Sequence, residues 1–292
     1  MGIFDEIKLS FRNGSYLTRL IYVNIALWIL VRLVFVGYSL SGADGTWLLS
    51  WLALPASFEL FLSRPWTIFS FMFLHFEFLH ILFNMLWLYW FGKIFLEYHS
   101  QQKLFSLYIF GGLVGGLAFF AAYNGLPIFQ QKLATSELIG ASASVIAIVI
   151  ASAVYVPNHI IHFAFIGPVR IKWIALISII LYVISLSGEN AGGNFAHLGG
   201  ALWGWIYMSQ LKSGRNLTSP FDRLIDTLFS WFALKRKLKI KYASPNPDYD
   251  YNRSKKQQQN EVNQVLDKIG KSGYESLTFE EREILFKLGQ KK

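Results

Sequence analysis

The chain has 292 residues, of which 53% are hydrophobic and 15% charged, with a mean hydropathy of +0.37, whereas an average soluble domain carries about 25% charge. This excludes a disordered chain, a coiled coil and a disulfide-rich secreted fold, and makes segments of about 20 apolar residues that cross a bilayer the natural explanation. The absence of cysteine removes thiol nucleophiles, thiolate metal sites and disulfides, and the formal net charge of +9 acquires meaning only when mapped along the chain.

The N-terminal stretch MGIFDEIKLSFRNGSYL contains Asp5 and Glu6 and runs into an apolar segment too long for a signal peptide, so the first span reads as a retained anchor. Glu6 also conflicts with a myristoylation pattern after Gly2. Six apolar segments follow at 18–39, 77–97, 104–123, 138–156, 171–187 and 193–211, each near the length of a tilted transmembrane helix. Only Arg32 interrupts the first. Six crossings put both termini on one side. That side carries Lys8, Arg12 and Arg19, then Lys93 and Lys103, Arg170 and Lys172, and Lys212 and Arg215; the other has Arg64 and Lys132. The asymmetry predicts cytoplasmic termini. Residues 40–76 are apolar and rich in tryptophan (Trp47, Trp51, Trp66) but are broken by Pro55 and Pro65, which suits a segment lying in the outer interface rather than spanning.

Beyond the last span, most of the 27 basic residues fall within 213–292. Ser219 and Pro220 read as N-cap and first position of a helix. Its face carries Leu224, Leu228, Phe229 and Phe232, followed by Lys235, Arg236, Lys237, Lys239 and Lys241. This predicts an interfacial helix with a basic end that binds anionic lipid, in preference to nucleic acid. The expected organisation is a membrane domain over 1–212, the basic amphipathic helix over 213–242, a polar and disordered linker over 243–260, and a small cytoplasmic helical hairpin over 261–292. In the hairpin, Val262, Val265, Leu266 and Ile269 have helical spacing, Gly270 and Gly273 break it, and Thr278 with Glu281 forms a capping box.

Polar groups inside spans are costly and mark candidate sites. His80 and Asn84 stand at i and i+4, on one face of the second span. They read either as an interhelical hydrogen-bonding pair or as part of a site. A zinc site is disfavoured, because HExxH needs a glutamate directly after the first histidine and here Glu77 follows His75 by two. Ser142 and Ser144 open the fourth span among small residues, where serine commonly packs or bonds to its own helix. His197, in the sixth, is flanked by alanine and glycine, which let a neighbouring helix come close. All three sets fall in the half of the membrane nearest the non-cytoplasmic face. A serine and a histidine at one depth make a nucleophile and its base. With no carboxylate in spans four or six, the pair is a dyad. His80 and Asn84 can donate to a developing oxyanion, and Ser142 lies where free helix N–H groups favour negative charge.

These residues together resemble the rhomboid intramembrane serine proteases over about residues 15–212. The residues that carry the likeness are His75, the HxxxN of His80 and Asn84, the GxS of Gly140 and Ser142, and the GxxxAHxxG of Gly192, Ala196, His197 and Gly200. The resemblance implies an all-α membrane protein: a bundle of six transmembrane helices with a membrane-embedded first loop and a small cytoplasmic helical tail. It further implies Ser142 as nucleophile, His197 as base, and an oxyanion hole made by His80, Asn84 and the Ser142 amide, with no metal or cofactor. Substrates would be transmembrane proteins, and the compartment a bacterial cytoplasmic (inner) membrane. Three positions depart from the pattern. Ala143 stands where glycine is common, Ile146 where an aromatic ring commonly stacks on the histidine, and Thr67 where arginine often follows the tryptophan, with Arg64 nearby as a substitute. Rival readings are an inactive relative that binds client helices, and a transporter; the latter expects acidic relays or an internal repeat, which the sequence lacks.

Overall fold

The structure, a computed structural model, describes residues 2–163, 167–188, 190–232 and 247–289. It is 78% helical and divides into two compact units, residues 1–232 and 233–292.

In the first unit, α1 (Ile3–Asn13) precedes α2 (Tyr16–Leu40), whose N-cap Ser15 accepts from the Thr18 N–H. The first loop folds into three short helices, α3 (Trp47–Leu52), α4 (Phe58–Ser63) and α5 (Thr67–Ser70). The long helices α6 (Phe78–Tyr98) and α7 (Gln101–Gly125) come next. Then follow α8 (Ser142–Tyr155), α9 (Ile171–Ile184), α10 (Ala191–Lys212) and α11 (Ser219–Phe232). Three of these, α2, α6 and α7, are long and apolar enough to cross a membrane; α8 and α9 are apolar but shorter. Helix α10 is long but diluted by Asn194, His197, Gln210 and five glycines.

Every expected apolar segment is a helix, with ends shifted by a few residues. Helix α1 was not expected. It places Ile3, Phe4, Ile7 and Phe11 on one face and is tied to α2 by Arg19, whose guanidinium donates to the Phe11 and Arg12 carbonyls. Arg32 rests its guanidinium 4.7 Å from the Phe76 ring and 5.8 Å from Phe35, so ring faces receive the cation inside the apolar stretch.

Two short antiparallel pairings also escaped the sequence. Strand β1 (Leu54–Pro55) of the first loop pairs with β2 (Glu137–Leu138), matching Leu54 to Leu138. Strands β3 (Ile160–Phe163) and β4 (Gly167–Arg170) form a hairpin between α8 and α9, with Ile160 opposite Arg170. The first pairing matters for the site, because β2 runs into the residues just before α8. The loop carrying β1 is fixed by several further bonds. The Trp66 indole donates to the Trp51 carbonyl at 2.9 Å and stacks on the Trp51 ring. Ser70 donates to Leu52, Asn124 to Ala56, and Arg64 to the Ser50 carbonyl.

The centre of the unit is the packing of α7, α8 and α10, and small residues make it close. A Cβ on Gly115 of α7 would strike Ala143 and the Ala196 carbonyl, and one on Gly200 or Gly204 of α10 would run into the backbone of Ala143 or Ala147 on α8. In a membrane, where burying apolar surface gives helices no mutual attraction, this close approach supplies dispersion contact.

Helix α11 begins at Ser219, so Ser219 is its first residue rather than the cap. Asp222 anchors it: buried, it accepts from Ser106 on α7, from Asn216 and from Thr218. Phe221 packs edge-on to Phe110 at 5.3 Å, Ile225 is buried and Leu224 faces outward. The side chains of Leu228, Phe229 and Phe232 and the basic run from Lys235 to Lys241 lie outside the described residues, as do 243–246 of the expected linker.

The second unit comprises α12 (Pro247–Ser272) and α13 (Phe279–Gly289). Residues 247–260, expected as linker, are the first half of α12. Their lysines, arginine and glutamines are good helix formers despite their polarity. Gly270 is accommodated, and the break falls at Gly273, with φ +77°. The expected capping box is present: Glu281 accepts from the Thr278 N–H at 2.8 Å, and Thr278 Oγ1 from the Glu281 N–H at 3.4 Å. Lys268 bridges to Glu281 at 2.8 Å.

Candidate active site

Ser142 is the first residue of α8, and His197 lies two turns into α10. Their side chains meet: His197 Nε2 and Ser142 Oγ are hydrogen-bonded at 2.6 Å. The small residues between α8 and α10 make this distance attainable, since any side chain at Gly200 would hold the helices apart.

The other expected residues gather around this pair. Gly140, two residues before the serine, has φ +116°, a conformation that favours glycine. Its N–H donates to the Phe71 carbonyl at 2.9 Å, which fixes the turn into α8. The His80 ring lies against Gly140, so that a Cβ there would be 2.7 Å from His80 Cε1. Asn84 is nearly buried one turn further along α6, with its side-chain amide donating to the His80 carbonyl at 2.9 Å. That uses one of its two amide hydrogens on its own helix, and the second is free for another acceptor. The Ser142 N–H belongs to the first turn of α8, where N–H groups have no intrahelical acceptor.

His75 proves to be a structural partner. Fully buried, its Nε2 accepts from the Ala141 N–H at 3.3 Å, and its ring meets His80 edge-on at 5.1 Å. The stretch 71–77 that carries it is itself pinned by two helices. Tyr108 of α7 donates to the Met72 carbonyl at 2.8 Å, with Asn24 of α2 donating to the Tyr108 oxygen, and Trp28 of α2 donates to the Phe76 carbonyl.

A cavity of about 360 Å³ opens onto these groups. Ser142, His80 and Asn84 line it, together with Glu77, Trp87, Ile146 and Tyr182. Tyr182, on α9, is the residue the sequence did not single out. Its ring centroid is 4.4 Å from that of His197. Ile146, noted in the sequence as a departure from the resembled pattern, lines the cavity from α8. Among the described residues, no group of three or more His, Cys, Asp or Glu side chains is arranged to hold a metal ion.

Chemically, a serine hydroxyl bonded to an imidazole, beside imidazole, amide and helix N-terminal donors on the wall of a cavity, can run acyl transfer. The fold and the apolar helices define a membrane protein with this arrangement at its centre. Residues 62–213, just over half of the chain, match the Rhomboid domain family. The chain belongs to the rhomboid family. Over 162 residues it is 30% identical to "RHOMBOID-like protein 12, mitochondrial" of Arabidopsis thaliana, an alignment covering 52% of this chain and 48% of that protein. The chain thus spans about half the length of the curated relative it matches. Residues 247–291 match DUF6576, a family of unknown function.

Proposed function

We propose that the protein is an intramembrane serine endopeptidase that cleaves transmembrane substrates near the non-cytoplasmic face. The observation that carries this reading is the 2.6 Å hydrogen bond between Ser142 Oγ and His197 Nε2 at the wall of a cavity. Ser142 Oγ attacks the scissile carbonyl carbon as its proton passes to His197 Nε2. The new oxyanion faces donors from His80, Asn84 and the Ser142 N–H. Collapse of this intermediate expels the amine, which takes the proton from His197 and leaves an acyl ester on Ser142. A water molecule then repeats the attack, with His197 again as base, and frees the acid. A substrate helix has to unwind first, because its carbonyls are hydrogen-bonded and covered, so helix-breaking residues are preferred at the cut.

The same proposal has six helices crossing the membrane (α2, α6, α7, α8, α9 and α10), the first loop embedded in the outer interface, and both termini in the cytoplasm of a bacterial cell with an inner membrane. Its support is the distribution of lysine and arginine among the connections. Helix α8, at 14 residues, is about 21 Å long and falls short of the roughly 30 Å hydrocarbon core, which suits a serine set below the surface. Helix α11 and the basic run after it are proposed to lie on anionic lipid.

The test is cleavage of a single-span reporter protein by the purified, reconstituted enzyme, with labelling by a serine-reactive phosphonate. Cleavage and labelling of Ser142, both lost in Ser142→Ala and with cleavage lost in His197→Ala, are expected. Cleavage that survives either substitution overturns the dyad. Failure to cleave or label, with capture of helical clients instead, would favour a binding protein.

A further inference from the structure

A general base that must accept a proton at Nε2 needs its ring held and its Nδ1–H satisfied, a task usually given to a carboxylate or carbonyl acceptor. His197 has neither: among the described residues its Nδ1 is buried without a hydrogen-bond partner, and spans four and six contain no acid. What lies against the imidazole is Tyr182, with centroids 4.4 Å apart and the planes inclined by 52°.

From this juxtaposition we infer that Tyr182 is the positioning residue for His197: its ring, presented by α9, fixes the imidazole toward Ser142 and stabilises the imidazolium formed during attack. The inference rests on the proteolytic reading of the site. Its chemistry is that of an aromatic face toward a cation, strongest where water is excluded. The imidazole is neutral in the resting dyad and charged only while it holds the serine proton, so the interaction strengthens along the reaction coordinate and acts on kcat. The effect is assigned to the ring and not to the hydroxyl, which has no hydrogen-bond partner among the described residues and which the phenylalanine variant below removes. No other ring stands in for it on α8, where Ile146 is buried one turn beyond Ser142.

The origin of the ring has a consequence. Helix α9 buries only Ile171, Ala175 and Ser178, and where it faces α8 and α10 it leaves an apolar cavity of about 450 Å³ lined by Ala175, Ile179, Val154, Leu198 and Trp205 among others. The orientation of the base is therefore tied to the docking of a lightly held helix rather than to the tightly packed α7, α8 and α10.

The experiment compares reconstituted full-length wild type, Tyr182→Phe and Tyr182→Leu on the same single-span reporter, measuring kcat and KM separately, with phosphonate labelling and thermal unfolding alongside. Tyr182→Phe is expected to stay within about threefold of wild type, while Tyr182→Leu loses roughly 10- to 100-fold in kcat with KM within about threefold. Retention of the folded state is checked by unfolding temperature, and the rescue by phenylalanine separates a ring effect from general damage. The inference is overturned if Tyr182→Leu turns over like wild type, if its loss lies in KM alone, or if Tyr182→Phe falls as far as the leucine variant. Wild type that neither cleaves nor labels overturns the proteolytic reading itself, and this inference with it, a result distinct from an active wild type with an unaffected leucine variant.

Discussion

Gly140→Ala tests whether the His80 side chain works beside Ser142. With φ at +116°, alanine there is strained by about 1–3 kcal/mol. Its Cβ would also stand 2.7 Å from His80 Cε1 and 2.9 Å from Nε2, closer than carbon and nitrogen tolerate. The imidazole has to swing away, so the substitution removes a donor from the proposed oxyanion position, while the new Cβ comes no nearer than an ordinary van der Waals contact, 3.8 Å, to Ser142 Oγ. Loss of one such donor costs about 2.7–4 kcal/mol, or roughly 10²–10³ in kcat. A double-mutant cycle isolates the cause. In a His80→Ala background there is no ring to displace, so adding Gly140→Ala should cost only backbone strain, read as a lower unfolding temperature. Each single variant is expected to lose about 10²-fold in kcat, and the double variant about the same, in place of the roughly 10⁴-fold that independent effects would give. Reporter cleavage in proteoliposomes supplies the kcat values. Multiplicative losses would refute the reasoning, because Gly140 would then act on the start of α8 and not through His80. A Gly140→Ala enzyme with wild-type kcat would refute it too.

Three other outcomes are expected. Gly200→Leu drives a branched side chain into the Ala143 backbone and should abolish cleavage and phosphonate labelling together, with overpacking costing at least about 1–3 kcal/mol by thermal unfolding. Tyr108→Phe leaves the Met72 carbonyl and the Asn24 amide short of a buried partner; it should cost about 1–3 kcal/mol of stability, measured by unfolding in detergent, with a smaller effect on KM. His99, packed between Phe95 and Tyr155, has a pKa lowered by burial and then by the Lys103 ammonium. The folded protein therefore takes up that proton less readily than the unfolded chain, and stability is full above about pH 6.5 and declines below it. His99→Phe should flatten that acid-side decline in unfolding temperature.

The parts legible in the sequence are those set by strong local signals. Apolar runs place the helices to within a few residues at their ends, and the break in apolarity at His80, Asn84, Ser142 and His197 points to one locus. What was hidden depends on partners distant in the chain. Two-residue strands such as Leu54–Pro55 have no periodicity to read, and their pairing with Glu137–Leu138 is a purely tertiary fact. Tyr182 is, with Trp173, one of two aromatics in a mostly apolar helix, indistinguishable by pattern from a lipid-facing ring. Helix α1 was missed because Asp5, Glu6 and Lys8 suggest a solvated leader unless the 3.6-residue spacing of Ile3, Ile7 and Phe11 is counted. The 247–260 segment shows the converse: its polarity suggests a disordered linker, yet it forms the first half of α12, because lysine and glutamine are helix formers whenever the backbone bonds are kept.

On the proposed function, a hydrolytic site inside a bilayer has to combine close, dry packing with access for water, and the two demands would fall on different elements here. Closeness comes from glycine and alanine on α7, α8 and α10, which bring Ser142 and His197 within 2.6 Å. Access comes from what stops short: α8 begins at Ser142, and the space above it is filled not by helix but by a turn hydrogen-bonded to Phe71 and His75. Lengthening α8 by a turn at its N-terminus would bury the serine hydroxyl in helix and remove the first-turn N–H groups from the oxyanion position. A variant with this extension should therefore fold, keep α8 and α10 packed, and lose phosphonate labelling. Labelling at the wild-type rate would show that a free helix start is not what makes this serine reactive.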